Sequence, residues 1–320
     1  MVQKTRRRVL VAGVLASAGL MNSRIANAAL NGKATIALVM KSPADPFTMA
    51  MLSAAQNYQK HFASQFDLVV RSSDAQPDTA AQIRIVEDLI ASHINAIVLV
   101  PTDSKALVPV VARAIDAGII VTTIDNPLDE AALQAAHIAV PFIGPDNLKG
   151  ARLVANYLAS KLKPGDEVGI IEGVVTDRNA QQRTDGFREA MNAAHIKIAA
   201  IAPGDWVYSK AKAAASVMLD QHPHIRGLLC ANDSMATGAV DAVRIAHRTG
   251  NVYITGYNND ASITSFIDSG RILATVDQFA ARQAVFGVDV ALKALDEHTR
   301  EQDLSPFIET PLQLVTGKTR

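Results

Sequence analysis

The chain has 320 residues, 49% hydrophobic and 19% charged, a globular composition that excludes a disordered chain and leaves room for about two domains. Thirty-one basic residues balance 31 acidic ones, which argues against a surface that holds nucleic acid through phosphate contacts. A single cysteine, Cys230, excludes an internal disulfide framework and a cysteine-rich metal site. Its apolar setting predicts a buried, inert thiol.

The first 28 residues read as a separate export segment. Lys4, Arg6, Arg7 and Arg8 form a basic start, and Val9 to Leu20 a mostly apolar run. Ala26-Asn27-Ala28 then places small residues where a signal peptidase reads. The run is shorter than the roughly 20 residues a membrane span needs. A basic tail or a first buried helix is the alternative. Thr5-Arg6-Arg7-Arg8-Val9-Leu10 also fits a twin-arginine signal loosely, so two export routes stay open. Cleavage near Ala28 removes Lys4, Arg6, Arg7, Arg8 and Arg24 and no acid, leaving 26 basic and 31 acidic residues, net −5.

After this segment, strands and helices alternate. Short continuous apolar runs predict strands at Thr35–Met40, Leu68–Val70, Ala96–Val100, Ile119–Ile124, Val168–Ile171, Ile198–Ala202, Leu228–Ala231 and Val252–Thr255. A later one is expected around Ala274–Val276. Unbroken rather than alternating hydrophobicity means both faces are covered, as in a parallel sheet. Leu107, Val110, Val111, Ala114 and Ile115 recur at helical spacing after Ser104, a plausible N-cap. Leu148, Ala151, Val154, Ala155, Leu158 and Leu162 do so after Asp146. Gly118 and Gly165 follow helices, where a left-handed residue is useful. The series opens at Lys33–Val39 and again at Asp166–Glu172. The fold class is therefore α/β, with two doubly wound parallel-sheet lobes that part at Gly144-Pro145.

Ligands of open parallel sheets bind beyond the carboxyl ends of the strands, and polar residues collect there. The first strand runs into Lys41, Asp45 and Phe47; the fourth ends in Asp125-Asn126. Asp177, Arg178, Asn179, Gln181 and Arg183 follow Val168–Ile171, and Trp206 follows Ala202. Asn232-Asp233, Tyr257-Asn258-Asn259-Asp260 and Asp277-Gln278 end the later strands. Taken singly, each has a plain structural reading. Asp233 and Asp260 suit helix N-caps, Asn258 a turn, Arg183 an ion pair, and Trp206 the core. Together, carboxylates, amides and the flat Phe47 and Trp206 suit a small polyhydroxylated ligand. Hydroxyls need paired donors and acceptors, and the C–H faces of a sugar need an aromatic surface.

Signatures of catalysis are missing: there is no G-x-S-x-G, H-E-x-x-H or G-x-G-x-x-G. Gly317-Lys318-Thr319 imitates a P-loop end, but Leu312 stands where glycine is required. The eight histidines show no ligand spacing, and His222-Pro223-His224 reads as a loop. No catalytic residue, metal or cofactor is expected.

Several motifs in order resemble the ribose-type periplasmic sugar-binding proteins of ABC importers, of the type I periplasmic binding protein class. They are Ile36-Ala37-Leu38-Val39 with Asp45-Pro46-Phe47, Pro101-Thr102-Asp103-Ser104, Thr123-Ile124-Asp125, Arg183-Thr184-Asp185-Gly186-Phe187, Ala231-Asn232-Asp233-Ser234-Met235-Ala236 and Ala274-Thr275-Val276-Asp277-Gln278. The resemblance implies two lobes joined by three crossings, near Pro145, Gln278 and Thr310. Residues 29–144 plus 279–309 would form the N-terminal lobe, and 145–278 plus 310–320 the C-terminal lobe. It further implies ligand positions at Asp45, Phe47, Asp125, Trp206, Asn232 and Gln278. Ribose binders usually carry arginine where Asn126 and Gln181 stand, aspartate where Asn258 stands and serine where Lys41 stands. An arabinose-binding relative is similar at Lys41, Asp45 and Phe47, and an autoinducer-2 receptor at Lys41, Asp125 and Thr176-Asp177.

The expected protein is a monomeric periplasmic receptor for a sugar or sugar alcohol, pentose-sized, that closes on its ligand and docks on an ABC permease. Asp125 would accept two hydroxyls, Lys41 would donate, and Phe47 and Trp206 would sandwich the ring. An autoinducer-2-type receptor is the alternative within the same class. A LacI-like regulator core would need a helix-turn-helix before the first strand, and a sugar-metabolising enzyme would need a placed base or cofactor loop.

Overall fold

The computed structural model describes residues 33–42, 46–73 and 78–317. The export segment and Asp45 lie outside the described residues. In the first half, β1 (Ala34–Met40), α1 (Pro46–His61), β2 (Phe66–Ser72), α2 (Thr79–Ala91) and β3 (Ala96–Leu99) follow one another. Next come α3 (Val108–Asp116), β4 (Ile120–Ile124), α4 (Glu130–Ala135) and β5 (Phe142–Gly144). The second half holds α5 (Asn147–Ala159), β6 (Glu167–Glu172), α6 (Arg178–Ala193), β7 (Lys197–Pro203), α7 (Tyr208–Gln221) and β8 (Ile225–Cys230). It continues with α8 (Asp233–Ile245), β9 (Tyr253–Thr255), α9 (Thr264–Asp268) and β10 (Ala274–Asp277). The chain closes with α10 (Ala280–Asp296), β11 (Phe307–Glu309) and β12 (Gln313–Thr316).

Two sheets result, ordered β2-β1-β3-β4-β5-β11 and β7-β6-β8-β9-β10-β12. Every pairing is parallel except β10 with β12. Both doubly wound lobes expected from the apolar runs are present. The chain passes from the first sheet to the second after Gly144, back after Asp277, and over again after Glu309. The residue runs that make the strands also explain their two-sided burial. In β1, Ala37 and Val39 face one core with Leu89, Val111 and Val121. Ile36 and Leu38 face the other with Met51, Phe66 and Val288 of α10. A single core fills the second lobe around Val168, Ile170, Phe187 and Leu229. Cys230 is fully buried in it, and burial pushes its thiol pKa up.

Local signals hold in part. Asp146 caps α5, accepting from the backbone N–H of Lys149 at 2.9 Å. Gly118 has φ +81°, a conformation that other residues adopt only with strain. Ser104 does not cap α3: Leu107 stands at that position without a side-chain cap. Asp233 does not cap α8 either, because Asn232 does. Among the described residues, no helix is long and apolar enough to cross a membrane.

Candidate functional site

The strand ends of the two sheets face each other across a cleft, and the tight turns that close those strands set its side chains. After β4 the backbone N–H of Asn126 donates to the carbonyl of Ile124 at 2.7 Å, with Asp125 between them at φ +63°. This is a γ-turn of the strained hand, a geometry found at ligand clamps. Trp206 at φ +67° and Asn258 at φ +125° are held in the same unusual region. Trp206 can lie against the end of β6 because Gly173 is there: a Cβ on Gly173 would collide with the indole.

The cavity in the cleft is lined by Lys41, Phe47, Thr48 and Asp125 from the first lobe. Asn179, Arg183, Trp206, Asn232 and Asn258 line it from the second. It encloses about 60 Å³. At roughly 10–15 Å³ per enclosed water centre, that is about four to six such centres, the scale of one monosaccharide rather than an oligosaccharide.

Charge in the site is balanced. The Lys41 ammonium sits 2.9 Å from Asp177 Oδ2 and 3.7 Å from Asp125 Oδ2, all three buried. Burial works against the Lys41 charge, but Asp177 and Asp125 outweigh it and hold its pKa above the ordinary value. Burial pushes the Asp177 carboxyl up, with Lys41 and the Trp206 indole pulling the other way. The Trp206 Nε1–H donates to the same Asp177 oxygen at 2.9 Å. Arg183 is fully buried and lacks a carboxylate within hydrogen-bond reach among the described residues. Instead its Nε donates to Asn147 Oδ1 and its Nη1 to the carbonyl of Ala231, each at 2.8 Å. Its guanidinium lies 3.8 Å from the Tyr257 ring centroid and 5.6 Å from that of Trp206. Burial lowers its pKa. An ion-pair arginine was one reading of the sequence; the structure shows a guanidinium held by neutral acceptors.

Of the residues singled out in the sequence, the cavity gathers Lys41, Phe47, Asp125, Trp206, Asn232 and Asn258. Asn126, Gln181 and Gln278 are not among its lining. Asn126 is fully buried, donating to the carbonyl of Pro101 at 3.0 Å and accepting from the Asn179 N–H at 3.1 Å. Gln181 spends its amide on the carbonyl of Val175 at 2.8 Å. Gln278 is buried behind Asn258, donating to Asn258 Oδ1 at 2.7 Å and accepting from Arg183 Nη2 at 3.4 Å. Thr48 also lines the cavity and is not singled out in the sequence, and Asn179 and Arg183, named there only among the polar residues after a strand, line it too. Their only signal was their place beside a strand end or in the first turns of the helix after it.

The first turn of α6 spans the cleft. Its Arg178 N–H donates to Ser104 Oγ at 2.9 Å and its Asn179 N–H to Asn126 Oδ1 at 3.1 Å. With Lys41–Asp177, these contacts join the lobes through protein groups alone.

Residues 36–299 match the family described as periplasmic binding protein domain. The D-ribose/D-allose-binding protein of Pseudomonas aeruginosa is 53% identical over 312 residues, covering 97% of this chain and 98% of its own. A solute-binding protein of an ABC transporter from Burkholderia multivorans is 55% identical with a TM-score of 0.86, over 89% of this chain and 100% of that one. Its crystal structure carries an unknown ligand represented as alpha-D-erythrofuranose. A counterpart from Actinobacillus succinogenes with bound D-allose is 30% identical with a TM-score of 0.83, over 89% and 98%. With the matched span covering most of both lobes, the chain belongs to the periplasmic binding protein family.

Proposed function

We propose that the cleft captures one neutral monosaccharide or sugar alcohol, of five or six carbons, and that the closed protein delivers it to a membrane ABC permease. The observation that carries this reading is the balance of the site. Two cations, Lys41 and Arg183, meet two carboxylates, Asp125 and Asp177, around a monosaccharide-sized cavity with an indole and a phenyl ring on it. A sugar acid or sugar phosphate would leave this set with uncompensated buried charge. Neutral hydroxyls instead complete it, donating to Asp125 and accepting from Lys41 and Arg183. Phe47 and Trp206 supply surface for the C–H faces of the ring. The names of the relatives favour D-allose and D-ribose as first ligands.

Lobe closure is the mechanism that this arrangement supports. The crossings at 145–146, 278–279 and 310–312 act as the hinge between lobe 29–144 plus 279–309 and lobe 145–278 plus 310–320. Ligand bound to both walls favours the closed form by its differential affinity. The protein acts outside the cytoplasmic membrane as a monomer after cleavage following Ala28, and it binds without turning over its ligand.

A thermal-shift screen against D-allose, D-ribose, other pentoses and hexoses, tetroses, polyols and autoinducer-2 tests the reading. Ligand at 100-fold excess over Kd stabilises by about 2.7 kcal/mol. Calorimetry of Asp125→Ala then checks the site. Loss of charge-assisted bonds of about 1.5–3 kcal/mol each lowers affinity by roughly tenfold to a few hundredfold. Wild-type affinity in the folded variant would remove Asp125 from the site. A response confined to autoinducer-2 would replace the sugar reading with a signal receptor.

A further inference from the structure

Ser104 does not cap its own helix, and the residue at the N-cap of α6 does not cap that one. Asp177 stands there with extended backbone, φ −81° and ψ 125°, and no side-chain cap bond. Its Oδ2 takes the Lys41 ammonium and the Trp206 indole instead, each at 2.9 Å. The first amides of a helix have no partner within it and need acceptors from elsewhere. For α6 these come from the opposite lobe. Ser104 Oγ accepts from the Arg178 N–H at 2.9 Å, and Asn126 Oδ1 from the Asn179 N–H at 3.1 Å.

Both acceptors are fixed within the first lobe. The Nδ2 of Asn126 donates to the Pro101 carbonyl at 3.0 Å, which leaves the amide oxygen for α6. The Ser104 carbonyl accepts from the Asp129 N–H at 2.8 Å, and its hydroxyl donates to Asn126 Oδ1 at 3.4 Å. A hydroxyl has one hydrogen and two lone pairs. With the hydrogen directed at Asn126, the lone pairs of Ser104 are left for Arg178. Ser104 is buried and is not among the residues that line the cavity.

We infer that Ser104 is a positioning residue for ligand capture: with Asn126 it caps α6 in trans, and the cap exists only where the lobes have met. The inference rests on the closure reading above and adds to it a residue that touches no ligand. In an open form, water satisfies the Arg178 and Asn179 amides. In the closed form the first lobe does so, and it docks the helix that brings Asn179 and Arg183 to the cavity wall. Ser104 therefore biases the closing equilibrium by the same amount whichever sugar is enclosed.

The chain's one tryptophan, Trp206, lines the cavity, so its fluorescence reports binding. The test is stopped-flow binding of D-allose and of D-ribose to wild type and Ser104→Ala, with ligand-free small-angle scattering and amide exchange by NMR. Affinity should fall about twofold to tenfold in the variant, by the same factor for both sugars. The loss should lie in faster dissociation, with association unchanged. Ligand should slow exchange at the Arg178 amide in wild type, and the variant should lose that slowing while Asn179 keeps it. Unchanged affinity together with an unchanged ligand-free radius of gyration would overturn the inference. So would a loss confined to one sugar, by making Ser104 a ligand contact. A lower ligand-free melting temperature with both rates at their wild-type values would do the same, by making Ser104 a structural residue of the first lobe. Wild type that binds neither D-allose nor D-ribose would overturn the sugar reading and not the cap, which a larger ligand-free radius of gyration in Ser104→Ala would still support.

Discussion

The two lobes share a strand order, yet the walls they offer the cleft differ in kind. The first lobe presents a carboxylate and an ammonium: Asp125 sits on a strained turn at φ +63°, 3.7 Å from Lys41, and Lys41 bonds Asp177 of the other lobe at 2.9 Å. The second lobe presents amides, an indole and a guanidinium that are already bonded to their own scaffold. Asn232 Oδ1 caps α8 at 2.8 Å, Asn258 is held by Gln278, and Arg183 is held by Asn147 and Ala231. Charge on the first side therefore engages across the cleft rather than its own scaffold, while Asn232, Asn258 and Arg183 on the other double as structural ties. Substitutions of Asn232, Asn258 or Arg183 should register first in stability, and those of Asp125 first in affinity.

The strongest attempt to break that contrast is Arg183→Ala. It leaves Asn147 Oδ1 and the Ala231 carbonyl without their donor inside the core, and thermal or denaturant unfolding should show a loss of about 3–5 kcal/mol. A folded variant with unchanged stability and lost affinity would put Arg183 on the same footing as Asp125.

Asp233 supplies a pH test confined to the second lobe. It is fully buried, and burial pushes its pKa from 3.8 up to about 6, against bonds from Thr275 and the backbone of Asp260, Tyr257 and Asn259. The folded value exceeds the unfolded one, so this contribution to stability is complete below about 3.8 and is lost as pH rises through about 6. Two units correspond to roughly 3 kcal/mol. The unfolding free energy of wild type relative to Asp233→Asn should fall by up to that amount between pH 4 and 7. Parallel curves would rule out a titrating Asp233.

Asp125→Gly sharpens the contrast from the other wall. Glycine adopts φ +63° without strain, so the melting temperature should hold while affinity drops roughly tenfold to a few hundredfold. A destabilised variant would show that the carboxylate is also a structural tie. The smallest effect belongs to Lys149–Glu309, a 2.9 Å pair between α5 and β11 with both side chains about half exposed. Glu309→Gln should leave both melting temperature and affinity unresolved from wild type, because solvent screens such pairs.

Much of this was legible in the chain. Continuous apolar runs gave nine strands because two-sided burial requires them, and lobe order followed. β11 and β12 end their sheets and are partly exposed, so no continuous apolar run marks them, and Pro141 and Gly144 cut β5 to two apolar residues. Lys41, Phe47, Asp125, Trp206, Asn232 and Asn258 were legible as polar or flat residues at strand ends. Asn126 does not line the cavity because its amide is spent on protein groups, the Pro101 carbonyl and the Asn179 N–H of the other lobe, which its place beside Asp125 in the sequence does not reveal. Ser104 has the spacing of a helix cap, but its hydroxyl serves the other lobe, a partner 74 residues away. Arg183 looked like half of an ion pair because sequence does not reveal that neutral oxygens from three segments converge on it.

Cys230 carries a consequence for observing the protein at work. The thiol ends β8 with no solvent exposure, and burial disfavours its reactive thiolate. It is the chain's one cysteine, so the first lobe has none. Alkylation under native conditions therefore clocks the opening of the second lobe alone, without any engineered label. Ligand that merely clamps the lobes together would slow that clock only through the second lobe's own opening, which separates hinge motion from unfolding in a single trace.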